Sequence, residues 1–206
     1  MTKKVIWVVL LALLAGTGAA VAQESANIFR GHVVYVDPTG DENIDIGFDV
    51  KLEPDSATGF GISYERRLTE QMGLEFGLFR SEHDVEASAF GDEMTIGDYS
   101  FMPFTVALNF HVARTDTLDF YLAPMVAYVM YGDLEANEDF SDDNLKIDDD
   151  FGFGAVVGLE VPASGNWAFS AQLKYLKTTA SGEDDGDDAE VDINPWILHA
   201  GVAYRF

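Results

Sequence analysis

The sequence predicts an all-β fold, an eight-stranded antiparallel up-and-down transmembrane β-barrel with short periplasmic turns and long acidic extracellular loops. Three observations predict it. Apolar and polar residues alternate with period two through eight segments, which places successive side chains on opposite faces of a strand. The links between these segments alternate between short turns and longer acidic stretches, the asymmetry of outer-membrane barrels. A short apolar run typical of an export signal precedes the first segment.

The first 22 residues have the layout of a cleaved Sec signal peptide. Lys3 and Lys4 precede the apolar run 5–14, and the small-residue site Ala20-Val21-Ala22 follows it. The run is much shorter than the about 20 residues that a spanning helix needs, although a retained N-terminal anchor is the alternative. We therefore expect residues 1–22 to be removed and residues 23–206 to form a single outer-membrane β-barrel domain.

The predicted strands are long enough to cross a membrane, because a tilted spanning strand needs about 9 to 11 residues. They are residues 28–36, 58–67, 72–82, 99–112, 118–131, 151–161, 167–177 and 191–206. The links 68–71, 113–117 and 162–166 are short, whereas acidic windows occupy residues 37–55, 82–98, 133–150 and 183–192. The short links and both ends of the barrel domain are expected at the periplasmic end.

The charge balance excludes several classes of function. The chain has 36 acidic and 12 basic residues and a net charge of −24, which disfavours nucleic acid as a partner because phosphate binding needs clustered Lys and Arg. Cysteine is absent, so disulfides and thiolate metal sites are not expected. The acidic stretches 142–150 and 182–192 have enough carboxylates to bind Ca²⁺ but lack the spacing of a calcium loop. The prediction is a solvated anionic surface with no defined metal site, with divalent ions bridging the loops to lipid phosphates as the intermediate alternative. No cofactor is predicted.

The apolar face of the strands decides between a soluble sandwich and a membrane barrel. That face is continuous and carries aromatic residues near the strand ends, as in interfacial girdles. The other face is rich in glycine, which suits the crowded interior of a narrow barrel. A barrel in lipid must close, because an open edge would leave unsatisfied backbone groups in hydrocarbon. The last strand is therefore expected to pair with the first.

Four stretches resemble a known family. They are RGHVVYVDP (30–38), PFTVALNFHV (103–112), FYLAPMVAY (120–128) and DINPWILHAGVAYRF (192–206). They resemble the OmpW family, which consists of eight-stranded barrels of the Gram-negative outer membrane, and the C-terminal Phe206 resembles a barrel-insertion signal. The resemblance implies contact with outer-membrane lipids and lipopolysaccharide, recognition of the last strand by the barrel-assembly machinery, and passage of small hydrophobic molecules through the barrel wall.

The inward residues divide by height into two sets. The lower set, here called the polar plug, carries charges of both signs, which a narrow low-dielectric space tolerates when they are paired. It comprises Arg30, His32, Glu65, Glu75, His111, Glu160 and Arg205. The upper set, here called the apolar cup, comprises Phe79, Phe101, Met125, Val129, Tyr131, Val156, Leu176, Ile193 and Ile197. The cup is either a self-packed core or a site for a small hydrophobic ligand.

Prolines within predicted strands mark possible openings in the wall. Pro103 and Pro195 lie in the outer half of the barrel, and proline donates no ladder hydrogen bond. Each is a candidate for a gap through which an apolar solute could leave sideways. A local bulge without a transport role is the alternative at both positions.

Two other classes of function are alternatives to the passage of a solute. A structural or adhesive barrel would act through its acidic loops. A lipid-modifying enzyme would need a nucleophile beside a base; Ser81 and His83 share a strand face, but the sequence supplies no third member. We therefore predict that the protein is not an enzyme and has no catalytic residues.

Overall fold

The computed structural model describes residues 27–40, 42–45, 49–89, 92–136, 146–184 and 187–206. The expected signal peptide, residues 1–22, lies outside these residues. The described strands are β1 (Asn27–Asp37), β2 (Glu42–Asp45), β3 (Asp49–Pro54), β4 (Ala57–Arg67), β5 (Met72–Ala89), β6 (Asp92–Arg114), β7 (Asp119–Tyr131), β8 (Glu135–Ala136), β9 (Ile147–Asp148), β10 (Asp150–Ser164), β11 (Trp167–Lys177), β12 (Thr179–Asp184), β13 (Asp187–Asp192) and β14 (Trp196–Arg205). In the described part of the chain, no helix is both long and apolar enough to span a membrane.

Eight of the described strands form a closed antiparallel ring. Its order is β1, β4, β5, β6, β7, β10, β11 and β14, after which β14 returns to β1. The closing seam runs in register from Ile28 opposite Arg205 to Asp37 opposite Trp196. The end of the seam beside Ile28 and Arg205 is tied by Asn27 N donating to Phe206 O (3.0 Å) and Phe206 N donating to Asn27 O (2.9 Å). The predicted eight-stranded barrel and its closure are confirmed.

Two strands continue far beyond the predicted membrane-crossing segments. β5 has 18 residues and β6 has 23, whereas about 9 to 11 suffice to cross the bilayer. Their hairpin takes up the acidic window 82–98, and β3 extends the sheet alongside the outer part of β5. The predicted end of the third strand at residue 82 and the predicted start of the fourth at residue 99 are wrong, because polar side chains satisfy a solvated sheet as well as a loop and both strands continue into the acidic window.

The last barrel strand begins later than predicted. β14 starts at Trp196, whereas Val191 and Asp192 belong to β13. Asn194 has a φ of 40°, a left-handed conformation that interrupts an extended run, and Pro195 follows it without a backbone donor. The prediction that Pro195 lies inside a strand is therefore wrong.

The outer face of the ring is apolar and has aromatic pairs at two levels. Phe60 and Phe169 are 77% and 63% exposed in the isolated chain, which is the position of a lipid-facing side chain. At the end with the short turns, the rings of Trp167 and Tyr204 lie 4.9 Å apart. Toward the opposite end, the pairs Tyr175–Trp196 and Tyr128–Phe151 are also 4.9 Å apart. These levels agree with the predicted girdles and are called the lower girdle and the outer girdle.

Candidate functional site

The inward faces of the eight barrel strands bring the predicted interior residues into two layers. Every residue predicted for the plug except Arg205 is at most 5% exposed, and every residue predicted for the cup is at most 8% exposed. Period two along each strand produces this burial, because alternate side chains must point into the ring. The polar plug lies nearer the lower girdle, and the apolar cup lies nearer the outer girdle.

Arg30 on β1 is the centre of the polar plug. Its Nε donates to Glu160 Oε1 (2.7 Å), its Nη1 to Glu75 Oε2 (3.0 Å) and its Nη2 to Glu65 Oε2 (2.6 Å). The three carboxylates come from β10, β5 and β4. Arg30 is 0% exposed, so its charge is compensated by buried partners, one on the neighbouring strand β4 and two on strands farther around the ring.

A second set of ion pairs joins the plug to the base of β7. Arg67 Nη2 donates to Asp119 Oδ2 (2.6 Å), and Arg67 Nε lies 2.9 Å from Glu65 Oε1. His111 lies between the same two acids, with Nδ1 2.6 Å from Asp119 and Nε2 3.0 Å from Glu65. His111 therefore bridges the two acids. On the other side, Arg205 Nη2 donates to Glu160 Oε2 (2.7 Å).

Neutral side chains complete the plug. Asn109 Nδ2 donates to Glu65 Oε2 (2.8 Å) and Glu75 Oε2 (3.1 Å). Gln172 Nε2 donates to Glu75 and, at 2.7 Å, to Tyr121 OH. The Arg30 guanidinium carbon is 5.6 Å from the centre of the Tyr121 ring, within the range of a cation–π contact. The plug is thus a cross-linked network that fills the lumen.

Gly158 on β10 makes room for the Tyr121 ring, which gives a test of how tightly the plug is packed. A Cβ at position 158 would overlap that ring, whereas a Cβ at Gly31 would meet nothing within 4 Å. Gly158→Ala should destabilise the barrel by about 1 to 3 kcal/mol, the usual cost of overpacking. Gly31→Ala should change the unfolding free energy little. Urea unfolding in lipid vesicles measures both, and equal stabilities would show that Tyr121 moves aside freely.

His32 is inside the barrel but outside the ionic network. Its Nε2 lies 3.4 Å from Ser170 Oγ, and its ring lies 5.1 Å from that of His199. The His199 ring also meets Phe79 edge-on at 5.1 Å. The two histidines therefore form the boundary between the polar plug and the apolar cup.

Sequence reasoning missed three charged members of the plug. Arg67, Asp119 and Lys174 are buried within it, and Lys174 Nζ lies 3.7 Å from Glu75 Oε1. Period two could have found Arg67 and Lys174, because Arg67 shares the face of Glu65, and Lys174 shares the face of Gln172. Asp119 is the first residue of β7. It lies too close to the turn for the alternation to show which way its side chain points.

The apolar cup lies on the outer side of the plug. All nine predicted members belong to one cluster of buried apolar side chains. The Phe101 ring is 5.9 Å from Phe79 and 5.7 Å from Tyr131. Above them, Val85, Leu134, Ile147, Ala180 and Val191 pack on the cluster from the strands outside the membrane.

The cup is filled by its own side chains. Leu176, Ile197 and Val129 are 0% exposed. A shallow depression on the outer wall, lined by Gly31, Val33, Phe60, Ala200 and Val202 among others, faces away from the cup. A guest in the cup must therefore displace side chains, and flexible Met125 and the aromatic rings are the ones able to move.

The ladder between β5 and β6 is interrupted beside the cup. Pairing runs from Met72 opposite Phe110 to Leu78 opposite Phe104 and resumes at Ser81 opposite Phe101. The register is unchanged across the break, so Pro103 lies opposite Phe79. Proline has no N–H to donate to the facing carbonyl, which accounts for the break. Phe104 is paired with Tyr128 of the outer girdle, so the interruption lies at that level.

The other two prolines differ in position. Pro195 precedes β14, and its carbonyl accepts from Leu176 N at 3.2 Å, so it lies at the barrel rim. Pro124 lies in β7 at a second break of the β6–β7 ladder, between Ala107 opposite Met125 and Phe110 opposite Leu122. That break is level with Asn109 of the plug. Pro124 therefore lies at the lower boundary of the cup, next to Met125, whereas Pro103 lies opposite the cup residue Phe79 at the level of the outer girdle.

Ser81 and His83 are hydrogen-bonded near the outer end of the cup. His83 Nδ1 lies 2.7 Å from the Asp55 carbonyl and therefore carries a hydrogen, and Nε2 lies 2.8 Å from Ser81 Oγ. The third group that the sequence did not reveal is thus a backbone carbonyl. Both side chains are at most 2% exposed. Among the described side chains, no group of three or more His, Asp or Glu is placed to hold a metal ion.

Comparison with known proteins identifies relatives of this architecture. The model of the OmpW family matches residues 23–206. Outer membrane protein W of Vibrio cholerae serotype O1 is 24% identical over 208 residues, covering 95% of each chain. The crystal structure of OprG from Pseudomonas aeruginosa is similar with a TM-score of 0.75 and 20% identity, covering 89% of this chain and 97% of that one.

The solution structure of Escherichia coli outer membrane protein W is similar with a TM-score of 0.56 and 20% identity, covering 90% of this chain and all of that one. These solved structures share the closed ring of eight strands described above. Family and fold are those of outer-membrane barrels of transport or structural type. The chain belongs to the OmpW family and is a β-barrel of the Gram-negative outer membrane.

Proposed function

We propose that this barrel binds small hydrophobic molecules in the apolar cup and passes them passively into the outer membrane by lateral exit through its wall. The observation that carries the proposal is the stacking of an apolar cup on a sealed polar plug. An apolar solute would enter the cup from the outer end by displacing apolar side chains that pack on the cluster there. The plug then blocks its way toward the periplasm, because each of its buried charges would lose partners if a solute displaced them.

The proposed exit is the interruption at Pro103. Phe79, which lies opposite Pro103, and Phe101, where pairing resumes, belong to the cup, so a solute that passed through the break would move from the cup to the outer wall. On that wall, Arg80 and Glu82 form an exposed ion pair at 2.9 Å, which suits the head-group level of a bilayer. A solute leaving there would reach the boundary between head groups and acyl chains.

Restoring the missing hydrogen bond tests the exit. Alanine at position 103 supplies an N–H opposite Phe79, and one net hydrogen bond is worth about 1 kcal/mol. Pro103→Ala should therefore slow uptake of radiolabelled octane about fivefold, measured in proteoliposomes whose outer leaflet contains lipopolysaccharide. Empty vesicles give the rate of unassisted diffusion.

Two further prolines provide the controls. Pro124→Ala adds the same donor at the level of the plug, and Pro195→Ala adds one at the rim; neither should slow uptake as much as Pro103→Ala. Unchanged octane uptake in Pro103→Ala would remove the lateral exit from the proposal. Uptake that never exceeds the rate of empty vesicles, even in the natural protein, would remove passage itself.

Lipids and the barrel-assembly machinery are the proposed partners of the barrel's outer face and last strand. We infer that lipopolysaccharide and phospholipid contact the apolar outer face, and that the barrel-assembly machinery recognises β14 together with Phe206, which follows it. Residues 1–22 are proposed to be removed during export, which an intact mass beginning at Gln23 would show.

Acidic loops acting as an adhesive surface remain the alternative function, but no observation in the described residues favours it.

A further inference from the structure

We propose that the hydroxyl of Tyr99 is a ligand-binding group of the cup, so that the preferred guests are small apolar molecules carrying one hydrogen-bond acceptor, such as the carbonyl of a ketone or an ester. The inference deepens the proposed function and rests on it. It assigns a polar contact to a site that is otherwise lined mainly by apolar side chains.

The first observation is an unsatisfied donor inside the apolar cluster. Tyr99 is 4% exposed and belongs to the same cluster as the cup residues. Its hydroxyl oxygen is buried and has no hydrogen-bond partner among the described residues. Leaving a buried polar group unpaired costs about 1 to 3 kcal/mol, and buried tyrosines usually find a partner.

The polar groups around Tyr99 are already engaged. His83 stacks on its ring at 5.3 Å, but both His83 nitrogens are used, one toward Asp55 and one toward Ser81. Tyr131, whose ring is 6.3 Å away, has its hydroxyl 3.3 Å from Thr178 Oγ1. The free hydroxyl of Tyr99 is therefore available to a guest.

The position of Tyr99 fixes the orientation of that guest. Tyr99 pairs with His83 across β5 and β6, two residues farther out than the pair of Phe101 with Ser81. A guest whose acceptor meets the Tyr99 hydroxyl would thus place its polar end outward and its apolar body against Phe101 and Phe79. A pure hydrocarbon would fill the same space but leave the hydroxyl unpaired.

Two probes of similar size separate the polar contact from apolar binding. Binding of 2-octanone and of octane is measured by equilibrium partition into nanodiscs that contain the protein, with empty nanodiscs as blanks. Tyr99→Phe should weaken 2-octanone binding about three- to tenfold, the factor expected from one neutral hydrogen bond. Octane binding should stay unchanged. Tyr35→Phe is the matched control, because its side chain lies on the outer wall, 44% exposed in the isolated chain, and it should leave the ratio of the two affinities unchanged.

The outcomes distinguish this inference from the proposed function. Equal 2-octanone binding by the natural protein and Tyr99→Phe, while octane still binds, would overturn the role of Tyr99 and leave the apolar site intact. Equal losses for both probes would also overturn it, because they would mean that the variant damages the cup itself. Absence of binding of either probe to the natural protein would overturn the proposed function along with the inference.

Discussion

Replacing Arg30 with methionine is expected to destabilise the folded barrel by about 3 to 5 kcal/mol, the usual cost of removing one partner from a buried ion pair. The variant would leave Glu65, Glu75 and Glu160 around an apolar side chain at a position that is 0% exposed. Methionine fills a similar space, so the loss would come mainly from uncompensated charge and less from a cavity. Urea unfolding in lipid vesicles measures it, and Trp167 and Trp196 on the outer wall report the transition.

Arg80→Met is the matched control. Arg80 also pairs with a glutamate, but the side chains of Arg80 and Glu82 are 59% and 70% exposed. Exposed pairs contribute about 0 to 1 kcal/mol, so this variant should unfold nearly where the natural protein does. Similar losses of unfolding free energy in both variants would show that water solvates the charges of the plug. The plug could then not seal the lower end of the cup.

Replacing Phe101 with alanine should destabilise the barrel by about 3 to 5 kcal/mol, because Phe101 is 1% exposed at the centre of the packed cup. The cavity left among Phe79, Tyr131 and His83 would be lined mainly by aromatic rings. Benzene should occupy it and restore about 1.4 kcal/mol at ten times its Kd, because a ligand that binds only the folded state stabilises it. Unfolding curves with and without benzene measure both effects.

Phe60→Ala separates the cavity from the loss of apolar surface. Phe60 faces lipid and is 77% exposed in the isolated chain, so truncation leaves no void that lipid cannot fill. Phe60→Ala should lose only the free energy of transferring the removed apolar surface, and benzene should not raise its unfolding free energy. If benzene fails to stabilise Phe101→Ala more than Phe60→Ala, the cup collapses when a side chain is removed and does not accept a guest in its place.

Period two was enough to predict most of the fold. It located the eight barrel strands and assigned Glu65 and Phe101 to the interior, because each assignment needs only the direction of alternate side chains along one strand. The predicted strand boundaries were wrong at two kinds of place: where the backbone cannot stay extended, and where a strand continues beyond the membrane. Asn194 and Pro195 delay β14, and β5 and β6 continue as a solvated hairpin because nothing outside the bilayer requires an apolar face.

The candidate site was only partly accessible to the same reasoning. Composition and height separated the charged residues of the lower half from the apolar residues of the upper half. The pattern could not show that His32 pairs with His199 and stays outside the ionic network, nor that the Tyr99 hydroxyl lacks a partner. Both depend on contacts between residues far apart in the chain.

The sequence by itself determined that the strands alternate, that one face suits lipid, and that charge lies low and apolar side chains lie high inside the ring. Only the tertiary structure decided that Arg30 meets carboxylates 35, 45 and 130 residues away and that Pro103 faces Phe79 beside the cup. The physical reason is that alternation belongs to each strand alone, whereas contacts across the lumen depend on the tilt and stagger imposed when the ring closes.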